Sequence, residues 1–236
     1  LHLSLRRQRQ MCIRDRFAEH AKYFSQRGMV TILADYRVSS RHDVKVVNSI
    51  SDGKTSIKWI KENADLLGVD KNRIVASGGS AGGHLAASTA LLSQYDDPKE
   101  KNNKFNSIPS ALILFNPGLN STQERWIKDQ NRIDRAGTND YFSISPYHNL
   151  KNDAPSTIIF HGTADKTVPF SHAETFTKKS KDLGNECTLY GYENMEHGFF
   201  NFGRDNNGPF VDTVKKADEF LSSLGYLSPL PTVKIK

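Results

Sequence analysis

The sequence predicts an α/β domain with a mainly parallel sheet and helices on both of its faces. Short apolar runs of strand length alternate along the chain with longer segments of helical periodicity, which is the order typical of this class. A glycine-rich turn, GGSAGG (78–83), stands where one of these runs passes into a helical segment. The length of 236 residues fits a single domain of this kind.

Five segments have the composition of buried strands. Strands of a parallel sheet are covered on both faces, so they are apolar nearly throughout and do not alternate. The five segments are MVTILADY (29–36), RIVAS (73–77), ALILF (111–115), STIIFHG (156–162) and CTLYGYE (187–193). Long connections separate them, and such connections favour parallel pairing.

Helices are predicted where apolar residues recur near helical spacing. The predicted helices cover residues 17–28, 44–64, 81–94, 171–183 and 211–224. We expect one domain over residues 17–227, followed by a short tail at 228–236. Within the domain, residues 118–154 are polar and weakly periodic, which predicts a cap or insertion over a site.

The first sixteen residues differ from the rest of the chain in composition. They hold five arginines and one aspartate, which is +4 of the net charge of +6. No apolar core follows the basic residues, so a signal peptide is not indicated. RQRQMCIRDR (7–16) resembles translated adapter sequence, and we therefore expect a non-native or disordered segment at 1–16, with native sequence resuming near Phe17.

Composition also bears on partners. No apolar run reaches the 18 residues of a membrane span, and no basic stripe with interleaved aromatic residues indicates nucleic-acid binding. The two cysteines, Cys12 and Cys187, predict neither a disulfide framework nor a metal site. The compartment, cytoplasmic or secreted, and the oligomeric state stay open.

Ser80 lies at the centre of the glycine-rich turn. Gly78-Gly79-Ser80-Ala81-Gly82 follows a predicted strand and opens a predicted helix, which is the context of a nucleophile elbow. A phosphate-binding loop is the first alternative, but the G-K-[ST] ending of the P-loop is absent. The second alternative is a tight turn with no chemistry.

Two further residues extend the nucleophile hypothesis. In elbow-type folds the order along the chain is serine, acid, histidine. HGTADKTVPF (161–170) supplies Asp165 after the fourth predicted strand, and ENMEHGFF (193–200) supplies His197 after the fifth. Both follow carboxyl ends of strands, as Ser80 does, so the three side chains are expected at one edge of the sheet.

The other histidines are assigned different roles. His161 is expected to shape the Asp165 loop through hydrogen bonding, and His84 to have a packing or capping role. His148 and His172 are expected in solvent-facing segments. No His, Cys, Asp and Glu set has the spacing of a metal site, so a metallohydrolase is disfavoured.

These motifs together resemble the α/β-hydrolase superfamily, in particular its esterase/lipase branch with acetyl esterases and acetyl-xylan or feruloyl esterase-like proteins. The resemblance covers about residues 17–227. It implies the α/β-hydrolase fold with the early strands missing. It also implies Ser80 as nucleophile, His197 as general base and then acid, Asp165 as the group that orients the imidazole, and the Ala81 N–H as an oxyanion donor. No cofactor is implied.

One departure from the branch concerns the oxyanion hole. The resemblance implies an HGG-type segment before the helix at 17–28, where this chain has an arginine-rich stretch without glycine. Loss of one oxyanion donor typically lowers turnover by about 10²–10³. Whether the chain is active without the segment is left open.

The sequence therefore predicts a serine hydrolase that cleaves short-chain carboxylic esters through an acyl-serine intermediate, with acetyl esters on carbohydrate among the candidate substrates. The alternatives are a serine peptidase of the prolyl-oligopeptidase type and a catalytically inert α/β-hydrolase-like fragment. Acyl-chain length and the alcohol part of the substrate are not indicated.

Overall fold

The computed structural model describes residues 16–100, 102–123 and 127–229. The predicted foreign segment, apart from Arg16, and residues 230–236 of the predicted tail lie outside the described residues. The chain forms two compact units. One comprises residues up to Asp35 together with those from Gly198 onward, and the other, larger unit comprises Tyr36–His197.

The larger unit contains a four-stranded parallel sheet. Its strands are β1 (Val75–Gly79), β2 (Ala111–Phe115), β3 (Ser156–Gly162) and β4 (Cys187–Tyr192). They lie side by side in chain order, and every neighbouring pair is parallel. All five residues of β2 are buried, as expected of a central strand covered on both faces. All four carboxyl ends therefore meet at one edge, as the sequence predicts.

The helices of the larger unit alternate with its strands along the chain, and the smaller unit contains one helix from each of its two segments. In chain order the helices of the described residues are α1 (Ala18–Gln26), α2 (Ser39–His42), α3 (Val46–Glu62), α4 (Ala64–Leu67), α5 (Ala81–Leu91), α6 (Gln130–Ala136), α7 (Phe170–Asp182) and α8 (Gly208–Ser223). The five predicted helices correspond to α1, α3, α5, α7 and α8. The short helices α2, α4 and α6 have too few residues to show a helical period in the sequence.

Helix α5 is buried on almost every side, because AGGHLAASTAL has small or apolar residues all round. Its N-terminus follows Ser80, and its C-terminus is held by a buried lysine. Lys54 Nζ lies 2.6 Å from the backbone oxygen of Leu92, 2.8 Å from that of Gln94 and 3.3 Å from Asp96 Oδ1. The lysine is 2% exposed, and its ammonium group satisfies the Leu92 carbonyl at the C-cap of the helix and the Gln94 carbonyl two residues further on.

The predicted strand over 29–36 is wrong. Residues 29–38 have no regular secondary structure, and Val30 and Ile32 are 51% and 47% exposed. A strand exists only through ladder hydrogen bonds to a neighbour, and none of the described residues forms a ladder with this segment. Apolar composition alone does not provide that partner.

The smaller unit has its own apolar contacts between α1 and α8. Tyr23, Phe210 and Val214 form a buried cluster. Asp218 is buried beside it and accepts hydrogen bonds from Tyr23 Oη at 2.8 Å and Arg27 Nε at 2.5 Å. A buried carboxylate requires such partners, so the two contacts fix the register of the helices.

Candidate active site

Ser80 occupies a strained turn between β1 and α5. Its φ of 55° and ψ of −117° lie outside the regions that residues with a side chain ordinarily adopt. Its backbone N–H donates to the Phe115 oxygen at 2.9 Å, which fixes the turn to the end of β2. The residue is half-buried, and the next residue, Ala81, is exposed. The turn thus has the backbone geometry of a nucleophile elbow.

The glycines of the turn permit a close approach between strand and helix. A Cβ atom placed on Gly78 would lie 2.4 Å from both the carbonyl carbon and the oxygen of Gly82. Real Cβ atoms do not approach backbone so closely, so only glycine lets the first turn of α5 fold back against β1.

Asp165 lies in the loop after β3 and is almost completely buried. Its Oδ1 accepts the backbone N–H groups of Thr167 and Val168 at 2.8 and 2.9 Å. Its Oδ2 accepts Asn116 Nδ2 and His197 Nδ1, both at 2.7 Å. A buried carboxylate with four donors is satisfied and held in one rotamer.

These contacts determine the ionisation of the carboxylate. Burial by itself would raise the pKa of Asp165, but the hydrogen bonds from His161, His197 and the Val168 amide outweigh it and hold the pKa well below its usual range. The ionised carboxylate can only accept hydrogen bonds, so the proton between it and His197 belongs to Nδ1. In the neutral imidazole, Nε2 then carries a lone pair.

Ser80 is connected to this pair through the end of β2. The oxygen of Phe115 accepts the Ser80 N–H, and the next residue, Asn116, donates to Asp165. The loops of the acid and the histidine are also joined, because the Ala164 N–H donates to the Met195 oxygen at 3.1 Å. The structure thus brings Asp165 and His197 into direct contact and places Ser80 at the same edge of the sheet, after β1 and across β2 from the Asp165 loop.

Asn116 is the site residue that the sequence analysis misses. It is fully buried, has a φ of 42°, and follows β2 directly. An asparagine after a strand is common and belongs to no motif, so the sequence alone does not single it out. The available signal is its position, since it follows a parallel strand at the edge where Ser80 also lies.

The remaining histidines fall in three environments. His161 is fully buried, with Nε2 3.0 Å from the Val168 oxygen and 3.3 Å from Asp165 Oδ2, which confirms its predicted role in the loop. His84 Nε2 lies 2.7 Å from the Ile144 oxygen, and burial lowers its pKa. The prediction of solvent-facing positions is wrong for His172, which is 3% exposed, and for the half-buried His148. His172 lies on the buried face of α7. The sequence prediction assigned this position to the solvent-exposed face.

A cavity of about 410 Å³ opens beside Ser80. Its wall includes Ser80, Ala81 and the Asp165 loop at Thr167 and Val168. The predicted cap segment, 118–154, also contributes to the wall, through Ser121, Arg135, Ala136, Tyr141 and Ile144. Volume and position are those of a small-molecule site.

Two features are absent from the described residues. No helix among them is long and apolar enough to cross a membrane. Within the same residues, no group of three or more His, Cys, Asp or Glu side chains has an arrangement that could hold a metal ion.

The parallel sheet, flanking helices and serine turn define the α/β-hydrolase class. Within it, the chain belongs to the BD-FAE family, whose model matches residues 11–180. Among solved structures, esterase 2 of Thermogutta terrifontis phosphorylated by paraoxon is 45% identical, with a TM-score of 0.85. The match covers 92% of this chain and 79% of that one. The propionate-bound form of the same esterase has a TM-score of 0.86 at 45% identity, and the match covers 92% of this chain and 80% of that one.

Curated relatives are more distant. Esterase LipC of Mycobacterium tuberculosis is 28% identical over 203 residues, which is 79% of this chain and 49% of LipC. An acetylxylan esterase of Xylanibacter ruminicola is 23% identical over 221 residues, or 90% of this chain and 41% of that protein. The chain thus spans about half the length of these relatives or less.

Proposed function

We propose that the protein is a serine carboxylic-ester hydrolase that acts on short-chain acyl esters, with Ser80 as nucleophile, His197 as base and Asp165 as the orienting acid. The contact between Asp165 Oδ2 and His197 Nδ1 carries the proposal. It fixes the imidazole in the tautomer whose Nε2 can accept a proton, which a hydroxyl nucleophile requires.

The proposed reaction begins with proton transfer from Ser80 Oγ to His197 Nε2 as Oγ attacks the ester carbonyl carbon. The buried carboxylate of Asp165 stabilises the imidazolium that forms. The carbonyl oxygen becomes an oxyanion. Ala81 is the first residue of α5, so its N–H has no partner within the helix and points with the helix dipole toward negative charge.

Collapse of the tetrahedral intermediate breaks the bond to the alcohol, which leaves with the proton from His197. The acyl group remains on Ser80 Oγ. Water then donates a proton to Nε2 and attacks the acyl carbon, and the returning proton restores the Ser80 hydroxyl as the acid leaves. The cycle consumes one ester and one water and needs no other reactant.

The size of the acyl group is proposed from the cavity and the relatives. A volume of about 410 Å³ accommodates a small ester. The similar esterase 2 has been solved with propionate and with butyrate bound. One curated relative is an acetylxylan esterase, which supports the proposal that acetyl groups on carbohydrate are among the substrates.

A fluorophosphonate probe tests the proposal without assuming a substrate, because it reacts with an activated serine. We expect one labelled peptide, containing Ser80, and loss of the label in Ser80→Ala and His197→Ala. Ser121→Ala is the matched control, since Ser121 lines the same cavity and donates to the Ile144 oxygen at 3.1 Å. It should label as the wild type does.

Substrate class is measured with 4-nitrophenyl esters from acetate to octanoate and with the 4-nitroanilide of a peptide. We expect the highest kcat/KM for the two- to four-carbon acyl esters. Label that persists in Ser80→Ala contradicts the assigned nucleophile. Cleavage of the anilide in preference to the esters favours the peptidase alternative, and a folded chain that neither labels nor cleaves is the inert protein.

A further inference from the structure

The ionisable side chains in the wall of the cavity beside Ser80 include two cations. Lys45 and Arg135 lie in its wall, and the described wall residues include no aspartate or glutamate. A cleft lined by one sign of charge concentrates the electric field and attracts ligands of the opposite sign. The N-terminus of α5 adds partial positive charge at Ala81.

Lys45 is held in place at both ends of its side chain. Its Nζ donates to the backbone oxygen of Asp134 at 2.7 Å. Its stem packs against Gly137, where an added Cβ would lie 2.5 Å from Lys45 Cβ and 2.8 Å from Val47 Cγ2. A lysine loses side-chain entropy when it is fixed, so an exposed lysine seldom has such a defined position.

The contact of Lys45 leaves its charge uncompensated, because a peptide oxygen is a neutral acceptor. The carbonyl of Asp134 also belongs to the peptide that leads directly to Arg135. The ammonium group therefore lies next to the backbone of the second cation, and both residues line the cavity.

We propose that this stretch is an anion subsite and that the preferred substrates are esters carrying a carboxylate elsewhere in the molecule. The proposal rests on the proposed hydrolase function for its catalytic half. The carboxylate belongs either to the acyl part, as in a dicarboxylic half-ester, or to the alcohol part, as in an acylated hydroxy acid. Both forms share the chemistry that Lys45 and Arg135 recognise.

Binding tests the subsite separately from catalysis. The affinities of benzoate and benzamide, which differ in charge and little in shape, are measured by calorimetry on Ser80→Ala. We expect benzoate to bind at least about five-fold more tightly, the upper range of one exposed ion pair, and the difference to shrink as salt is raised. Equal affinities overturn the subsite, whether or not the wild type has esterase activity.

Kinetics then locate the carboxylate. The alcohol-side pair is 4-acetoxybenzoate and its methyl ester, and the acyl-side pair is mono-4-nitrophenyl glutarate and its methyl ester. Lys45→Met and Arg135→Gln should each lower kcat/KM about three- to five-fold for the anionic member of one pair, with the neutral member changed less than two-fold. The pair whose anionic member loses activity shows whether the substrate carboxylate lies in the alcohol part or in the acyl part.

Lys151→Met is the matched control, because Lys151 is exposed and lines a different cavity. It should leave all four rates unchanged. Arg135 is also exposed, so Arg135→Gln keeps the test available if Lys45→Met does not fold. An equal fall for anionic and neutral esters in both variants overturns the proposal, since it would show a role in the cavity wall and not in charge recognition. If no ester is cleaved while benzoate is still preferred, the proposed function fails and the subsite stands.

Discussion

Asn116 Nδ2 lies 2.7 Å from Asp165 Oδ2, the oxygen that also accepts His197 Nδ1 at 2.7 Å. A neutral amide from the end of one strand and an imidazole from the loop after another thus share a single carboxylate oxygen. The amide stabilises part of the negative charge on Oδ2, together with His197 and with His161 Nε2 at 3.3 Å. Asn116 is therefore placed to set both the rotamer and the strength of the proposed acid.

Asn116→Gly removes this donor and suits the backbone, since the residue has a φ of 42°. We expect kcat/KM on a short ester to fall about ten-fold, the equivalent of one hydrogen bond to a charged group. The acid limb of the pH profile should move to higher pH, because the unshared carboxylate charge favours the imidazolium. An unchanged profile with lower activity would indicate a structural role only.

His161 is predicted to hold the Asp165 loop through its Nε2. In His161→Leu the buried Val168 oxygen loses its partner at 3.0 Å, which should lower the free energy of unfolding by about 2 kcal/mol. His161→Gln places an amide donor at a similar reach, so it should recover more than half of the stability and of kcat/KM. Urea denaturation and ester kinetics on both variants measure this. Equal losses in the two would contradict the hydrogen-bond explanation.

Asp165→Asn should change the pH dependence of stability. The native contacts hold the pKa of Asp165 below its usual range. A depressed native pKa contributes stability that is fully present above the unfolded pKa of about 3.9 and is lost as pH falls below it. The wild type should therefore exceed the variant in unfolding free energy by more at pH 7 than at pH 3. A gap that is constant over this range would show that the ionised form makes no special contribution.

Two glycine-to-alanine substitutions should have opposite outcomes. Gly78→Ala would place Cβ 2.4 Å from the Gly82 backbone, so we expect loss of several kcal/mol of stability and of probe labelling. Gly53, within α3, has only Thr89 Cγ2 at 3.4 Å from such a Cβ. Gly53→Ala should be neutral or stabilising by up to about 1 kcal/mol, because alanine is the better helix former. Thermal unfolding of both variants measures these effects. A Gly78→Ala variant as stable as the wild type would contradict the close approach between Gly78 and the Gly82 backbone.

Much of the sheet was accessible from the sequence, because its four strands are apolar runs bounded by turns and the long connections between them favour parallel pairing. The segment at 29–36 has the same composition and is not a strand. Composition reports how well a segment would suit a buried position, whereas a ladder also needs a neighbouring strand.

The candidate site was predictable to a similar degree. Ser80, Asp165 and His197 were predicted because each follows a strand in an order that elbow folds share, and the structure joins Asp165 and His197 directly. Asn116 and the burial of His172 were not found, since both depend on which side chains of other segments face them. Lys45 and Arg135 are 90 positions apart in the chain, and only the fold shows that they belong to one cavity.

Helix α5 is anchored at both ends: Ser80 is tied to β2 at its start, and Lys54 binds the carbonyls just beyond its C-terminus. Both ends of the helix are therefore held. A displacement of its first turn along the helix axis would have to break the contacts of Lys54. We therefore expect that Ser80, the proposed nucleophile, does not move back to admit a bulkier acyl group. Substitutions that change the substrate range, during divergence or laboratory selection, should then accumulate in the cavity wall at 118–154 and not in α5.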